Sequence, residues 1–326
     1  MKAVLLKAPG PVDSLYIGEA AEPTPGPGEL LIDVKAAGVN PADWKIAERG
    51  FPGWSYPKAI GLDAAGTVAA LGAGVSGFAP GDRVYYHGRF ADLGAYAQRV
   101  VAPSHVVAKI PDRVTFEVAA ALPTAGFTAF QAIEERLMPG PEDVILIHAG
   151  AGGLGGMAIQ LARRRGATVL ATCSVANAEY VRKLGASEVI DYQTEDVARR
   201  VAALTRGRGV DAVLDTVGPA VGGPAIGMLA FQGCLACCVG LPDLAALQPL
   251  PRGIRIVDIA LGWAYLTNDG RAQNRLAHYG REIARFVADG AIDPMIAEVV
   301  SFDRSIDALR RSKSGRQRGK LVIRIE

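Results

Sequence analysis

The sequence predicts an α/β protein in which an irregular, mostly β domain precedes a doubly wound parallel sheet. Two observations support this fold class. The first third of the chain, to about Ala121, is rich in Gly, Pro and Val and carries short alternating apolar runs between closely spaced turns. From about Leu122, strand and helix patterns alternate, which is typical of a doubly wound sheet.

The composition indicates an enzyme-sized globular chain. It has 326 residues, 50% of them hydrophobic, and a formal net charge of +2. Two domains are therefore expected, and no electrostatic partner is indicated. The basic run from Arg304 to Lys320 is interpreted as a solvated face rather than a nucleic-acid surface. Without a signal-peptide pattern or a run that could span a bilayer, the chain is expected to be cytoplasmic, with no nucleic-acid or membrane partner.

Short strands define the first domain, predicted over residues 1–121. Leu30–Ala36 and Ala97–Val101 have the alternation of half-buried strands. Turn signals at Pro25–Gly28 and Pro80–Asp82 separate such runs. The pattern favours a barrel-like domain.

The second domain is predicted over residues 122–260. Its strands are predicted at Val144–His148, Thr168–Thr172, Glu188–Ile190, Ala212–Leu214 and Gly233–Val239. Helical stretches such as Glu179–Leu184 and Glu195–Leu204 lie between them. Residues 261–326 are expected to return to the β domain with helices at Gln273–Asp289 and Ser305–Ser312 and a last strand at Lys320–Ile325.

A glycine-rich turn follows the first strand of this second domain. Its glycines have the G-x-G-x-x-G spacing, which allows a sharp turn, close approach of a pyrophosphate and tight packing of the next helix. The helix N-terminus adds unpaired N–H groups. An ordinary turn is the alternative, but the preceding strand and following helix favour a dinucleotide site. The predicted contacts are Gly150, Gly152, Gly153, Leu154 and Gly155.

The four cysteines do not indicate a disulfide framework in a chain of this length. Cys234, Cys237 and Cys238 lie in a predicted buried strand, where residues three apart or one apart point to opposite faces. They are therefore interpreted as core residues, with metal binding a minor alternative.

Several motifs resemble the zinc-independent quinone oxidoreductases, the group that includes zeta-crystallin, within the medium-chain dehydrogenase/reductase superfamily. The matching segments, in chain order, are Ala36–Asp43, Gly61–Val68, Pro80–Val84, Leu122–Phe130, the glycine turn, Asp215–Gly218 and Gly319–Val322. The resemblance covers essentially the whole chain. It implies a GroES-like β-barrel catalytic domain, a Rossmann domain, and a cleft between them where nicotinamide meets substrate.

The resemblance also implies that no metal takes part. Alcohol dehydrogenases of the superfamily have a zinc-binding cysteine where this chain has Asn40, and a histidine where it has Leu62. Asp43 and Asp63 alone cannot complete a tetrahedral ligand set. Hydride transfer without a Lewis acid favours quinones and activated carbon–carbon double bonds.

The same matches imply three catalytic candidates, Asn40, Tyr56 and Thr124, and one further cofactor contact, Thr128. Asn40 is expected to contact the nicotinamide or the substrate, although a satisfied loop asparagine is the alternative. Thr124 and Thr128 are expected to bond the nicotinamide ribose or carboxamide, with a helix N-cap as the alternative for Thr124. Tyr56 is a candidate proton donor, although an aromatic residue in such a loop often only packs. His148, within a strand, is interpreted as a core residue.

Other cofactor contacts follow from strand ends and from the nucleotide's 2′-position. Val217, Gly218, Gly240 and Leu241 follow the ends at which doubly wound sheets bind their ligands. The stretch Thr172–Asn177 contains no acid, which permits a 2′-phosphate and predicts a preference for NADPH. Ser174 and Asn177 can donate hydrogen bonds to that phosphate, Arg316 or Arg318 could supply positive charge from the C-terminal segment, and Tyr192 resembles a cofactor-binding tyrosine of the family. Alternatively, Ser174 only caps the next helix and both cofactors are accepted.

The leading hypothesis is an NADPH-dependent quinone reductase acting on a small hydrophobic, electrophilic acceptor. An enal or enoyl-thioester reductase and a non-catalytic NADPH-binding protein remain alternatives. The acceptor pocket is expected to depend on Phe51–Tyr56, Phe90–Leu93 and Gly262–Leu266. A homodimer is expected through an edge strand of the cofactor sheet, either the strand ending at Cys237–Val239 or Arg255–Val257.

Overall fold

The computed structural model describes residues 1–92, 94–246, 252–267 and 269–325. The strands are β1 (Lys2–Leu6), β2 (Tyr16–Glu19), β3 (Glu29–Val39), β4 (Lys58–Ala59), β5 (Asp63–Leu71), β6 (Arg83–His87), β7 (Arg99–Pro103), β8 (Ala108–Lys109), β9 (Val144–Ile147), β10 (Thr168–Cys173), β11 (Glu188–Asp191), β12 (Val210–Asp215), β13 (Leu229–Cys237), β14 (Arg255–Asp258), β15 (Ile296–Ser301) and β16 (Lys320–Arg324). The α-helices are α1 (Pro41–Arg49), α2 (Phe116–Ala120), α3 (Thr128–Phe130), α4 (Gly153–Arg164), α5 (Ala178–Leu184), α6 (Val197–Leu204), α7 (Pro219–Ala225), α8 (Gly270–Ala288) and α9 (Ser305–Lys313). Among these helices, none is both long and apolar enough to cross a lipid bilayer.

The chain forms two compact units, residues 1–127 with 262–326, and residues 128–261. The sequence predicts the first boundary after Ala121, whereas the first unit runs through Phe127. The reason is packing, because the Phe127 ring meets Tyr85 and Tyr279 edge-on at centroid distances of 5.8 and 6.5 Å. A helical pattern in the sequence does not reveal which core its apolar side chains enter.

The first unit is built on two β-sheets. The larger has the order β15-β16-β3-β5-β6-β8, with β7 also paired to β3, and the smaller has the order β2-β1-β4. Strand β3 alternates between buried and half-buried residues, as expected for a strand with one face in the core. One residue row crosses β3, β5 and β6 through Gly38, Asp63 and His87. This row places polar side chains of β5 and β6 next to the start of α1.

Gly38 lets helix α2 approach this row closely. A Cβ atom at this position would lie 2.2 Å from the backbone oxygen of Ala120, a separation that no side chain tolerates. The close approach brings the segment after α2 against β5, where Thr124 meets Asp63.

The second unit is a doubly wound parallel sheet, as the sequence predicted. Its strand order is β11-β10-β9-β12-β13-β14, and every neighbouring pair is parallel. Leu146, Leu170, Val213 and Leu235 contribute to the core on one face of the sheet. This is the strand order of a dinucleotide-binding fold, with a crevice expected where the order reverses between β9 and β12.

The sequence predicts that this strand begins at Gly233, but strand β13 begins four residues earlier, at Leu229. The first residues of the strand are irregular, since Gln232 has φ 62°. The neighbouring Phe231 is 70% exposed. Since β13 pairs with both β12 and β14, it is an interior strand, and β14 forms that edge of the described sheet. Of the two segments considered for an edge, only Arg255–Val257 lies at one.

The cysteines lie mainly in the core of the second unit. Cys173, Cys234 and Cys237 are buried, Cys238 is half-buried, and all four are free thiols. Within the described ranges, no group of three or more His, Cys, Asp and Glu side chains is arranged to hold a metal ion.

Candidate active site

A capping box at the start of α1 fixes the first site residues. Asn40 is the N-cap, Pro41 occupies the first turn, and the Asn40 backbone N–H donates to Asp43 Oδ2 at 2.8 Å. The reciprocal interaction holds both side chains at the end of β3. It turns the Asp43 carboxylate into the protein interior, where that residue is fully buried.

The amide of Asn40 joins two charged side chains. Its Nδ2 donates to Asp63 Oδ2 at 2.8 Å, and its Oδ1 accepts a hydrogen bond from Lys320 Nζ. Lys320 Nζ also donates to the backbone oxygen of Val39 at 3.0 Å. The charged partners assign the amide orientation, oxygen toward the ammonium and nitrogen toward the carboxylate. Asn40 is 1% exposed and its amide is held by protein partners, so the structure supports a positioning role, and the ligand contact implied by the resemblance stays a prediction.

Thr124 is bound to the same carboxylate. Its hydroxyl donates to Asp63 Oδ1 at 2.6 Å, and its backbone N–H lies 3.0 Å from Asp63 Oδ2. Thr124 thus contacts Asp63, and its side chain is oriented by this carboxylate rather than by the helix end. Thr128 begins α3 in the second unit and is 9% exposed.

The Asp43 carboxylate completes the network. Tyr96 OH donates to its Oδ2 at 2.6 Å, and the Leu62 N–H donates to its Oδ1 at 3.1 Å. Burial raises the pKa of Asp43 to about 7, with repulsion from Asp63 adding to the effect and the Tyr96 hydrogen bond opposing it. Burial lowers the pKa of Lys320, opposed by both carboxylates. When Asp43 is protonated, the ammonium of Lys320 balances the charge of the Asp63 carboxylate within the network.

We define the buried network as Asn40, Asp43, Asp63, Tyr96, Thr124 and Lys320. Sequence reasoning found Asn40 and Thr124 but treated Lys320 only as part of a closing motif and missed Tyr96. The available signal was a lysine followed by apolar residues in the last strand, since a buried lysine needs acceptors close by. Leu62, at the position of the histidine ligand implied by the resemblance, is fully buried, and its side chain has no atom that could bind a metal.

An aromatic patch lies in the first unit, which we define as Phe51, Trp54, Tyr56, Phe90 and Tyr265. The ring centroids of Phe51 lie 6.2 Å from Trp54 and 6.3 Å from Phe90. Trp54 Nε1 donates to the Phe90 backbone oxygen at 2.9 Å. Tyr56 meets Trp54 edge-on at 6.2 Å and is 37% exposed.

The patch unites the three segments expected to shape the acceptor pocket. The Tyr265 hydroxyl donates to the backbone oxygen of His87 at 2.5 Å. A Cβ on Gly262 would lie 2.6 Å from the Phe90 ring, so glycine allows this segment to lie on the ring. Leu93, which the sequence analysis included in the second segment, lies outside the described residues.

The glycine turn of the second unit connects β9 to α4. A Cβ on Gly155 would lie 2.4 Å from the Ala149 oxygen, and one on Gly150 would lie 2.9 Å from Ile159. Packing within the protein thus explains these two glycines. A Cβ on Gly152 would lie 3.4 Å from its nearest neighbour, so packing within the protein does not require glycine at this position. Close approach of a pyrophosphate would account for the third glycine.

The helix α4 N-terminus faces the same turn. Gly152 is its N-cap in an extended conformation with no side-chain cap, and Gly153 and Leu154 are its first residues. Their backbone N–H groups have no intrahelical acceptor and suit a phosphate. The turn itself is held because Ala149, at φ 52°, donates its N–H to Thr172 Oγ1 at 3.1 Å.

His148 leaves a hydrogen-bonding atom open at this edge of the sheet. Its ring is 3% exposed, its Nδ1 lies 3.2 Å from Thr172 Oγ1, and its Nε2 has no partner among the described residues. Burial lowers the pKa of His148 to about 4, so the ring is neutral at neutral pH. The residue is buried, as expected, but it is not fully satisfied within the protein.

The 2′-phosphate candidates divide between the two units. Ser174 does not cap the following helix with its side chain, and its Oγ accepts from Asn177 Nδ2 at 3.2 Å. Tyr192 follows β11 and is 56% exposed. Arg316 and Arg318 belong to the first unit, in the segment between α9 and β16. Among the 2′-phosphate candidates, the structure therefore brings together Ser174 and Asn177.

The remaining cofactor candidates follow β12 and β13. The Asp215 carboxylate accepts from the N–H groups of Val217 and Gly218 at 2.8 and 3.0 Å. Gly218 and Gly240 have φ values of 137° and 116°, which favour glycine. Val217 and Leu241 are 48% and 44% exposed. Such apolar side chains at carboxyl strand ends suit the flat faces of a nucleotide's rings.

These features together fit a nicotinamide dinucleotide on the second unit. The glycine turn and α4 would hold its diphosphate, Ser174 and Asn177 would meet a ribose substituent, and the apolar residues after β12 and β13 would meet its rings. The unpartnered Nε2 of His148 is a further hydrogen-bonding atom at the same edge.

Two protein-family models match the chain. The alcohol dehydrogenase GroES-like domain matches residues 26–112, and the zinc-binding dehydrogenase model matches residues 153–263. The chain is 37% identical to trans-enoyl reductase tazE of Aspergillus terreus over 225 residues, covering 64% of this chain and 73% of that protein. It is 29% identical to the chloroplast envelope quinone oxidoreductase homolog of Arabidopsis thaliana, covering 92% and 91%.

Among solved structures, mycobacterial Rv1454c complexed with NADPH superposes with a TM-score of 0.87 at 30% identity, covering 100% of both chains. Other relatives are longer, and the chain spans 64% of trans-enoyl reductase tndF of Aspergillus flavipes and 15% of the phthioceranic/hydroxyphthioceranic acid synthase of Mycobacterium tuberculosis. These matches confirm the resemblance seen in the sequence. The chain therefore belongs to the medium-chain dehydrogenase/reductase superfamily of nicotinamide dinucleotide-dependent oxidoreductases.

Proposed function

We propose that the protein is an NADPH-dependent reductase that transfers hydride to a small quinone. The observation that carries this proposal is the Lys320–Asn40–Asp63–Thr124 hydrogen-bond chain. In this network Asn40 stands where the resemblance implies a zinc-binding cysteine, and Leu62 stands where it implies a zinc-binding histidine. Residues that cannot bind zinc favour acceptors that are already electron-poor, because such acceptors accept hydride without a metal ion to polarise their oxygen.

The reaction balances as NADPH, a proton and a quinone giving NADP⁺ and a hydroquinone. Bound nicotinamide supplies the hydride, and water or a side chain supplies the proton to the reduced oxygen. Thr124 directs its hydroxyl hydrogen to Asp63, so toward a ligand its oxygen acts as an acceptor. Of the three catalytic candidates, Tyr56 is the one whose hydroxyl can donate a hydrogen bond or a proton to the acceptor, and its side chain is partly exposed in the aromatic patch.

The preference for NADPH has separate support. Ser174 and Asn177 present a hydroxyl and an amide after β10, in a stretch without an acid that would repel a 2′-phosphate. Rv1454c, to which the chain is similar over its full length, was solved with NADPH.

A second candidate is reduction of an enoyl thioester or enal. The identity of 37% to trans-enoyl reductase tazE favours it. An electron-poor carbon–carbon double bond makes the same demands on the site, since hydride adds to carbon and a proton follows. The sequence-based alternative of a non-catalytic NADPH-binding protein is an outcome of the same experiment.

The test is NADPH oxidation with 1,4-naphthoquinone, with an enal, with a crotonyl thioester and with no acceptor. We expect the highest kcat/KM with the quinone, and a loss of at least about tenfold in Thr124→Val, which removes the hydroxyl and keeps the branched shape. Thr67→Val, a half-buried threonine further along β5, is the matched control. Faster turnover of the thioester would establish the second candidate, and tight NADPH binding without turnover of any acceptor would refute both reductase functions.

A further inference from the structure

The imidazole of His87 is a buried polar group that belongs neither to the buried network nor to the glycine turn. His87 ends β6 and is 2% exposed. It lies directly across from Asp63 in the antiparallel pair, so the two side chains share a face of the sheet. It therefore stands beside the carboxylate that holds Asn40 and Thr124.

The ring is enclosed by aromatic groups and not by hydrogen-bonding partners. Phe90 meets it edge-on at a centroid distance of 6.4 Å, and Tyr265 stacks on it at 6.4 Å with an interplanar angle of 12°. Its Nδ1 has no partner, and no hydrogen bond joins the ring to any residue that the structure describes. A polar ring enclosed in this way is unfavourable unless a ligand completes it.

The protonation state of the ring follows from its surroundings. Burial lowers the pKa of His87, opposed by the nearby Asp63 carboxylate, and the ring is neutral at neutral pH. A neutral imidazole carries one N–H. An N–H at the enclosed Nδ1 would lack an acceptor, and a buried N–H without an acceptor costs more than a nitrogen lone pair without a donor. We therefore assign the hydrogen to Nε2. The Nε2–H of His87 is then an uncharged hydrogen-bond donor beside Phe90 and Tyr265 of the aromatic patch.

We propose that His87 binds the acceptor, its Nε2–H donating a hydrogen bond to a carbonyl oxygen of a planar conjugated ketone packed against the aromatic patch. This inference rests on the proposed function and names the contact that selects the substrate. Phe51, Trp54 and Phe90 offer ring faces and edges at tilted angles, an arrangement that suits a flat ring better than a flexible chain. A hydrogen bond to a carbonyl that gains electron density on reduction strengthens as the reaction proceeds.

A purely structural role predicts something different. Tyr265 is anchored through the backbone oxygen of His87 and not through its ring, so that bond survives replacement of the side chain. Since the ring makes no hydrogen bond to a described residue, an apolar side chain of moderate size should hold the fold at least as well. Stability and acceptor binding should therefore respond to the same substitution in opposite directions.

The experiment compares wild type with His87→Leu and His87→Gln in the full-length protein. His105→Gln is the control, because His105 is exposed and bonds Gln273 at 2.7 Å elsewhere in the same unit. Four quantities are measured for each: kcat/KM for 1,4-naphthoquinone, the Kd of naphthoquinone from quenching of tryptophan fluorescence without NADPH, the Kd of NADPH, and Tm. Trp54 lies in the patch and makes the quenching sensitive to binding there.

We expect His87→Leu to lose about tenfold or more in kcat/KM and in naphthoquinone affinity, with NADPH affinity unchanged and Tm equal or higher. His87→Gln, which retains a donor near the Nε2 position, should recover part of the loss, and His105→Gln should match wild type. Unchanged naphthoquinone affinity in His87→Leu would overturn the inference, and so would a lowered Tm that accounts for the loss.

The result also separates this inference from the proposed function. Quinone turnover in wild type with no effect of His87→Leu refutes the role of His87 alone. Naphthoquinone binding that depends on His87, without turnover, refutes the reductase function and supports the binding site. A wild-type protein that neither binds nor reduces naphthoquinone refutes both.

Discussion

The side-chain amide of Asn40 donates to the carboxylate of Asp63 across 2.8 Å, while Lys320 donates to the oxygen of the same amide. Asn40→Asp keeps the shape of the side chain and replaces the Nδ2 donor, which lies 2.8 Å from Asp63, with a carboxylate oxygen, the third carboxylate of the buried network. Two buried carboxylates at this distance cannot both ionise without strong repulsion. We expect the free energy of unfolding to fall by roughly 2–3 kcal/mol at pH 8, with partial recovery at pH 5, measured by urea denaturation at both values. An equal loss at the two pH values would contradict the repulsion.

Lys320 provides the only ammonium group that we place in the buried network. Lys320→Met keeps the length of the side chain but leaves Asn40 and Asp63 without their cation, so the free energy of unfolding should fall by roughly 3–5 kcal/mol. Lys313→Met is the control, because Lys313 pairs with Glu48 at the surface with its side chain 44% exposed. Such an exposed pair should contribute less than about 1 kcal/mol. Equal losses from both substitutions would mean that burial adds nothing to the Lys320 contacts.

Asp43 should make stability depend on pH. Burial raises its pKa to about 7 in the folded chain, above the ordinary value of 3.8, so the folded state binds this proton more tightly than the unfolded state. Its contribution is fully present below pH 3.8 and is lost as pH rises to about 7, at up to ~1.4 kcal/mol per pH unit. Asp43→Asn cannot titrate, so its unfolding free energy should depend less steeply on pH in this window. Parallel curves from denaturant titrations of the two proteins would exclude this role for Asp43.

Ser174 should control the choice of cofactor. Ser174→Asp puts a carboxylate where the proposal places a 2′-phosphate, at a cost of roughly 1–3 kcal/mol in that half-buried position. We expect NADPH preference in wild type and NADH preference in the variant, from kcat/KM with each cofactor. Ser187→Asp adds the same charge just before β11, at the amino end of the sheet, and should leave the preference unchanged. Equal constants in wild type, or a variant that still prefers NADPH, would place the phosphate elsewhere.

Strand β14 leaves a sheet edge for a second copy of the chain. We propose a homodimer through Arg255–Asp258, because an edge strand presents unpaired N–H and C=O groups. Light scattering across a dilution series should give a mass near twice the 34.1 kDa of the chain. Val257→Lys should shift the series toward the monomer without lowering Tm, since Val257 is only half-buried. A monomer mass for wild type at every concentration would eliminate the proposal.

The sequence by itself determined the periodic parts of this protein. The alternation of apolar strands and helices predicted the doubly wound sheet, and the glycine spacing predicted the turn between β9 and α4. These features are local, because a strand, a turn and a helix each depend on residues close together in the chain. The same local signal found Ser174 and Asn177 after β10, where the structure joins their side chains.

Only the tertiary structure decided how the polar side chains are paired. Asn40 and Lys320 are separated by 280 positions in the chain, and Asp63 and Thr124 by 61, yet hydrogen bonds join each pair. His87 was not a candidate in the sequence, because nothing in its neighbours shows that the Asp63 row and the Tyr265 segment enclose it. A buried polar group is costly or useful according to the partners that distant segments bring to it, and spacing along the chain does not encode those partners.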